Sequence, residues 1–145
     1  MISVEVEASL HGLEFEETAK RLDPQLRGLL VERLAEIAYF LAFYGAPWRS
    51  GILARSIVKE VEADSAVIRV LASYGIYVVG GTAPHVIRPA CASCLAFRAR
   101  SGTMVFTRLV RHPGTKPNPF LERATEKTRD QVDAVFADLF QELVS

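Results

Sequence analysis

Apolar and polar residues recur along this chain with two different periods. From Asp23 to Gly45, "DPQLRGLLVERLAEIAYFLAFYG", the apolar positions Leu26, Leu30, Leu34, Ile37, Leu41 and Tyr44 follow three-to-four spacing, which predicts a helix with one buried face. Ala35, Ala38 and Ala42 widen that face. Asp23 suits the N-cap, Pro24 the first helical position and Gly45 the C-terminal stop. A short helix over Leu13 to Leu22 and a short strand in "SVEVEASL" are predicted ahead of it. "GAPWRSGILARS" then reads as a turn-rich link.

The period changes after Ser56. "SIVKEVE" and "AVIRVLAS" alternate around Ala63-Asp64-Ser65 and read as one hairpin. "YGIYVVGGTAPH" is glycine-rich and irregular. "CLAFRAR" sets Leu95, Phe97 and Ala99 on one side and Ala96, Arg98 and Arg100 on the other. "TMVFTRLV" follows the turn signal Ser101-Gly102, so a second hairpin is expected. "HPGTKPNPF" places Pro113, Pro117 and Pro119 in one short stretch, which removes backbone donors and fixes an extended, stiff arm. Asn118 and Pro119 suit the start of a closing helix whose stripe is Leu121, Ala124, Thr128, Val132, Val135, Leu139 and Leu143, with Phe136 and Phe140 beside it. The layout predicts an α+β fold over 1–145 as one domain: an antiparallel sheet of about four strands packed against a long N-terminal and a C-terminal helix, both on one sheet face.

Composition narrows the class. Half of the 145 residues are apolar, enough for a core and unlike a disordered chain. There is no apolar run of about 18 residues to span a membrane, and "MISVEVEASL" lacks the pattern of a secretory signal. A soluble intracellular protein is expected. The net charge is zero, yet every Asp and Glu lies in 1–64 or 122–145. The middle carries Arg69, Arg88, Arg98, Arg100, Arg108, Arg111 and Lys116 with His85 and His112. Such a segment suits phosphate, and equally the acidic part of a second copy.

Candidate chemistry is sparse. "GGT" at 80–82 lacks the helix and lysine of a phosphate loop. A Ser or Cys nucleophile beside His85 or His112 finds no neighbouring carboxylate in sequence to orient the histidine. Cys91 and Cys94 form one C-x-x-C, compatible with a disulfide, with free thiols, or with a zinc site completed by His85 and His112. The histidine spacing matches no zinc finger, so no cofactor is expected, with zinc as the one candidate, and a zinc-dependent enzyme ranks below a binding protein.

Three segments in order carry a resemblance: "APWRSGILARSI" at 46–57, "YGIYVVGGTAPHVI" at 74–87 and "HPGTKPNPFLERA" at 112–124. They are similar to the HK97 gp10-like family of tailed-phage proteins, whose pattern is AP-x-x-TG-x-L-x-x-S, then YA-x-x-V-E-x-GT, then H-x-I, then HPGTK-x-x-PF before a final helix. The matching positions are Ala46, Pro47, Gly51, Leu53, Ser56, Tyr74, Tyr77, Val78, Gly81, Thr82, His85, Ile87, His112, Pro113, Gly114, Thr115, Lys116, Pro117, Pro119 and Phe120, and the likeness runs over residues 25–143. Ser50 and Val79 depart from the pattern, and the Cys91–Cys94 loop is foreign to it. The resemblance implies a non-enzymatic virion or provirus protein, a tail-completion or head–tail joining component that self-associates into a ring and meets other phage proteins. It would reside in the virion, and in the host cytoplasm during assembly.

On this reading the stiff arm is a docking segment, since a pre-extended loop loses little entropy on binding. Arg108, Arg111, His112, Pro113, Gly114, Thr115 and Lys116 form the interface, Phe120 anchors the arm's exit, and Phe136 and Phe140 add apolar contact. The cations would face acidic helix residues of the next copy. The alternative is a small nucleic-acid-binding module that uses the basic middle, with nonspecific DNA contact.

Overall fold

A computed structural model describes residues 6–7, 23–63 and 65–144. The helix expected over 13–22 and most of the first strand lie outside the described residues. Helix α1 (Pro24–Gly45) starts as its sequence suggests: the Asp23 carboxylate accepts the Gln25 N–H at 2.9 Å, and Pro24 occupies the first turn. Its end has another cause. Gly45 is still helical, and Ala46 turns extended (φ −66°, ψ 139°) because Pro47 disfavours the helical conformation in the residue before it. Gly45 instead lies close to Phe120, where a Cβ would stand 3.7 Å from the Phe120 Cβ.

Two small helices were missed by periodicity, α2 (Ile52–Arg55) and α3 (Gly75–Val79), each too short to show a helical repeat. Between them lie β2 (Ile57–Val61) and β3 (Ala66–Val70), the first hairpin, in register from Ile57 opposite Val70 to Val61 opposite Ala66. The Glu62 N–H closes the turn on the Ser65 carbonyl at 2.8 Å. β1 (Val6–Glu7) pairs antiparallel with the other edge of β3, giving a three-stranded sheet in the order β1-β3-β2. Ala66, Ile68 and Val70 of β3 are buried on one face.

The α+β class and both hairpins are present, but the hairpins do not share a sheet. Among the described residues, β5 (Leu95–Arg98) pairs only with β6 (Met104–Thr107), and β4 (His85–Ile87) pairs only with β7 (Val110–His112). The β4–β7 ladder comes between the hairpins and carries the second one outward, so the expected sheet of about four strands is replaced by a three-stranded sheet and a long two-stranded extension.

The closing helix is two helices, α4 (Phe120–Arg129) and α5 (Val132–Val144). Asn118 does not cap: Pro119 is the N-cap residue and makes no side-chain cap bond, while the Asn118 Oδ1 accepts from the Arg123 guanidinium at 2.5 Å. The break at Asp130-Gln131 lets the two halves bury in different places. Phe120, Leu121 and Ala124 of α4 join Ala38, Ala42, Leu53, Ile57, Ile68 and Val70 in the main core. Val132, Val135 and Leu139 of α5 pack with Leu30 and Leu34 of α1.

Helix α1 therefore uses two faces. Its alanines lie toward the sheet and α4, and Leu30 and Leu34 toward α5. Small side chains permit the close approach of backbone that the alanine face needs. Tyr44, expected on the buried face, is 78% exposed, because the core stripe runs along the alanines. Ion pairs tie the layers at their edges: Arg33 to Glu142 at 2.6 Å, and Lys59 to Glu36. Both are partly exposed, so each contributes about 0–1 kcal/mol.

Candidate functional site

The segment 112–120 leads from the end of β7 at the base of the extension, through one isolated bridge at Thr115, to the start of α4. His112 faces His85 across the β4–β7 ladder, with ring centroids 5.0 Å apart and planes inclined by 29°. Three residues on, Thr115 meets Thr82. Each backbone N–H donates to the other's carbonyl, at 3.0 Å and 3.1 Å, and the two hydroxyls are 3.1 Å apart. The Asn118 N–H then donates to the carbonyls of Val78 (3.0 Å) and Val79 (3.2 Å) at the end of α3.

Two glycines make this closeness possible. Gly114 has φ 85°, and a Cβ there would stand 2.2 Å from the Thr82 carbonyl oxygen. Gly81 has φ 72°, and a Cβ there would stand 2.5 Å from the Thr115 carbonyl oxygen. Both positions combine a left-handed backbone with a backbone neighbour that cannot move aside, so only glycine fits without rearrangement. The prolines hold the strand between these contacts extended. The arm is thus a latch on α3 and on the Gly80–Thr82 turn, and its outer side, with Pro113, Lys116 and Pro117, faces solvent.

The histidines are differently wired. His85 Nδ1 lies 2.9 Å from the Ala83 carbonyl, so that nitrogen carries the hydrogen and donates. His112 Nδ1 accepts the Gly114 N–H at 3.1 Å, so its ring hydrogen sits on Nε2 in the neutral form. Of these two, His85 therefore presents a free Nε2 lone pair in the manner of a metal-bound histidine with an oriented Nδ1–H. Cys91 and Cys94 are free thiols in the loop 88–94, Cys91 exposed and Cys94 partly so. Among the described residues no group of three or more His, Cys, Asp and Glu is placed to hold a metal ion.

An open, mostly apolar groove of about 550 Å³ runs beside the latch, lined by Pro47, Tyr74, Tyr77, His85, His112 and Lys116 among others. The Thr82 and Thr115 hydroxyls on its rim bond to each other, and the Thr115 N–H reaches the Thr82 hydroxyl at 3.0 Å. Among the described residues no carboxylate lines the groove.

Of the expected interface residues, Arg108 and Arg111 are exposed, on the turn before β7 and on β7 opposite Val86. Phe120 is only 1% exposed: it anchors the arm's exit in the core and offers a partner nothing. Phe136 is half-buried against the Leu30–Leu34 cluster, whereas Phe140 is exposed.

Sequence reasoning missed two exposed apolar sets. One is the extension: from Ile76 to Pro119 no residue is buried, and Val86, Ile87, Phe97, Met104 and Phe106 all face solvent to a large extent. The other is an aromatic ladder at the end of α1, where Phe43 contacts Tyr44 and Trp48 at centroid distances of 5.4 Å and 5.8 Å, with Phe40, Tyr44 and Trp48 exposed. No sequence signal marked them, because placing both hairpins in one sheet under the helices left the second hairpin covered.

No helix among the described residues is long and apolar enough to cross a membrane. Compared with known proteins, the chain matches no family model, no curated protein and no solved structure.

Proposed function

We propose that this chain is a non-enzymatic assembly protein of a virion or provirus, a tail-completion or head–tail joining component that associates with copies of itself head to tail in a ring. The observation that carries self-association is the extension. A two-stranded ribbon is marginal on its own in water, and this one contributes no buried residue while exposing Phe97, Met104 and Phe106. Its apolar groups gain burial only against another surface. The segment also lacks any Asp or Glu, so an acidic partner face complements it.

The resemblance of the three motifs to the tailed-phage family supplies the class of assembly. The positions that carry it sit at joints of the chain: Ala46 ends α1, the Ser56 hydroxyl donates to the Leu53 carbonyl at 2.7 Å, and Gly81, Thr82, Gly114 and Thr115 form the latch. Such residues shape a scaffold, which favours an assembly role over catalysis.

The test is the mass of the purified protein by light scattering across concentration and salt, with electron microscopy of the assembled fraction. The reading expects species well above the 16.0 kDa monomer, closed into rings, and loss of assembly in the folded Arg111→Glu, Lys116→Glu double variant. A protein that stays monomeric at every concentration, alone and with tail or head proteins, overturns it. The exposed cations Arg98 and Arg108, each one position along the chain from an exposed phenylalanine or two from it, favour a second reading, nucleic-acid binding. DNA affinity that falls steeply with added salt would support that reading instead.

A further inference from the structure

We propose that the outer face of the β5–β6 ribbon seats on the outer face of helix α5 of a neighbouring copy; this names the two patches of the self-association proposed above and rests on it. The ribbon face follows from register. Ala96 lies opposite Phe106, and Arg98 opposite Met104, so these four side chains share one side. Phe106 is 67% exposed and Met104 48%. The helix face follows from periodicity. Asp133, Ala137, Phe140 and Val144 recur at i, i+4, i+7 and i+11, on a stripe turned away from the buried Val132, Val135 and Leu139. Phe140 is 57% exposed and Val144 72%.

Each patch has an apolar centre and a single sign of charge. Residues 65–121 contain no acid, and α5 contains no Lys or Arg; Asp133 lies on the proposed face, while Asp138 and Glu142 lie on another side of the helix, with Glu142 paired to Arg33 of its own chain. Ribbon against ribbon sets cation against cation, and α5 against α5 sets acid against acid. Ribbon against α5 joins opposite charges around Phe106, Met104, Phe140 and Val144. Both patches are exposed in the single chain, so the contact is made between copies. The aromatic ladder of α1 is the poorer receptor, because the nearby cations Arg49 and Arg55 have no acid between them and the ladder, and the nearest acid, Glu36, is already paired with Lys59. A contact between two different patches leaves one of each free at the ends of any open chain, which is the geometry that closes into a ring or runs on as a filament.

The test uses two cysteine variants in a Cys91→Ser, Cys94→Ser background, Ala96→Cys and Ala137→Cys, both at exposed positions. Each is checked for an unchanged thermal melt, then mixed in equal amounts under mild oxidation and run without reductant. The expected result is a cross-linked dimer in the mixture that forms at least tenfold faster than in either variant alone. In parallel, Arg98→Glu should weaken assembly about tenfold, as lost rim complementarity does, and Asp133→Arg in the same chain should restore most of it. If the parent protein assembles but the mixture shows no selective cross-link and Arg98→Glu changes nothing, the proposed contact is overturned while self-association stands. If the parent protein stays monomeric, or assembles only on added DNA, both are overturned.

Discussion

Gly114 passes so close to Thr82 that a single added methyl group would stand 2.2 Å from the Thr82 carbonyl oxygen. That contact sets the direction in which the extension leaves the body. Beyond it the chain runs out through β4, turns at Gly102 and returns through β7, with the residues 88–94 bulging on one side against only 108–109 on the other. The extension is held at its base, and none of its described residues is buried along its length.

Gly114→Ala should loosen the extension more than the body. A positive φ alone costs about 1–2 kcal/mol for a residue with a Cβ, and here a backbone collision is added. Because no residue between Ile76 and Pro119 is buried, the core can stay folded while the latch opens. Limited proteolysis should cut between 79 and 118 at least tenfold faster than in the parent, with a smaller change in the thermal melt. Gly102→Ala is the control: φ is 86° but a Cβ there meets nothing within 4 Å, so the latch should hold.

Phe120→Ala should destabilise the whole protein by about 3–5 kcal/mol, the usual cost of truncating a fully buried aromatic. Phe120 is 1% exposed in the main core. Phe140→Ala should leave the denaturation midpoint within about 0.5 kcal/mol of the parent, as surface changes do, yet weaken assembly. Equal effects on stability would mean that Phe140 is part of the core.

The N-cap of α1 gives a smaller and more local number. Asp23→Ala removes the acceptor of the Gln25 N–H and should cost about 1 kcal/mol. Asp23→Asn, which keeps an acceptor, should recover most of it in the same chemical denaturation series.

Cys91→Ser with Cys94→Ser should leave the melting temperature unchanged, since both thiols sit in a loop that contributes nothing to the buried core. Metal analysis of the purified parent should find no stoichiometric zinc, and a chelator should not shift its melt. A drop that the chelator reproduces would establish a structural metal site.

Much of the local structure was legible in the sequence, because its causes are local. Asp23 and Pro24 start α1 through bonds and angles set within three residues. Alternation places Ala66, Ile68 and Val70 on one face of β3, and Ser101-Gly102 turns the second hairpin, where the Gly102 N–H donates to the Ala99 carbonyl at 2.9 Å. The stiffness of residues 112–120 followed from three prolines.

What the chain pairs with, and what it leaves uncovered, only the tertiary structure decided. Val110 and Ile87 are far apart in sequence, and no periodicity announces that they face each other. Helix α1 is apolar on two sides because it lies between a sheet and two helices, so a one-face template placed Tyr44 inside and undervalued the alanines. The break at Asp130-Gln131 lets Phe120 and Leu139 join different clusters, which the single stripe read from the sequence did not separate. Burial is a property of the neighbours a residue acquires, and among the described residues the extension acquires too few to bury any of its own. That is why Phe97 and Phe106, which sequence alone would send to a core, stand in solvent as the surface most in need of a partner.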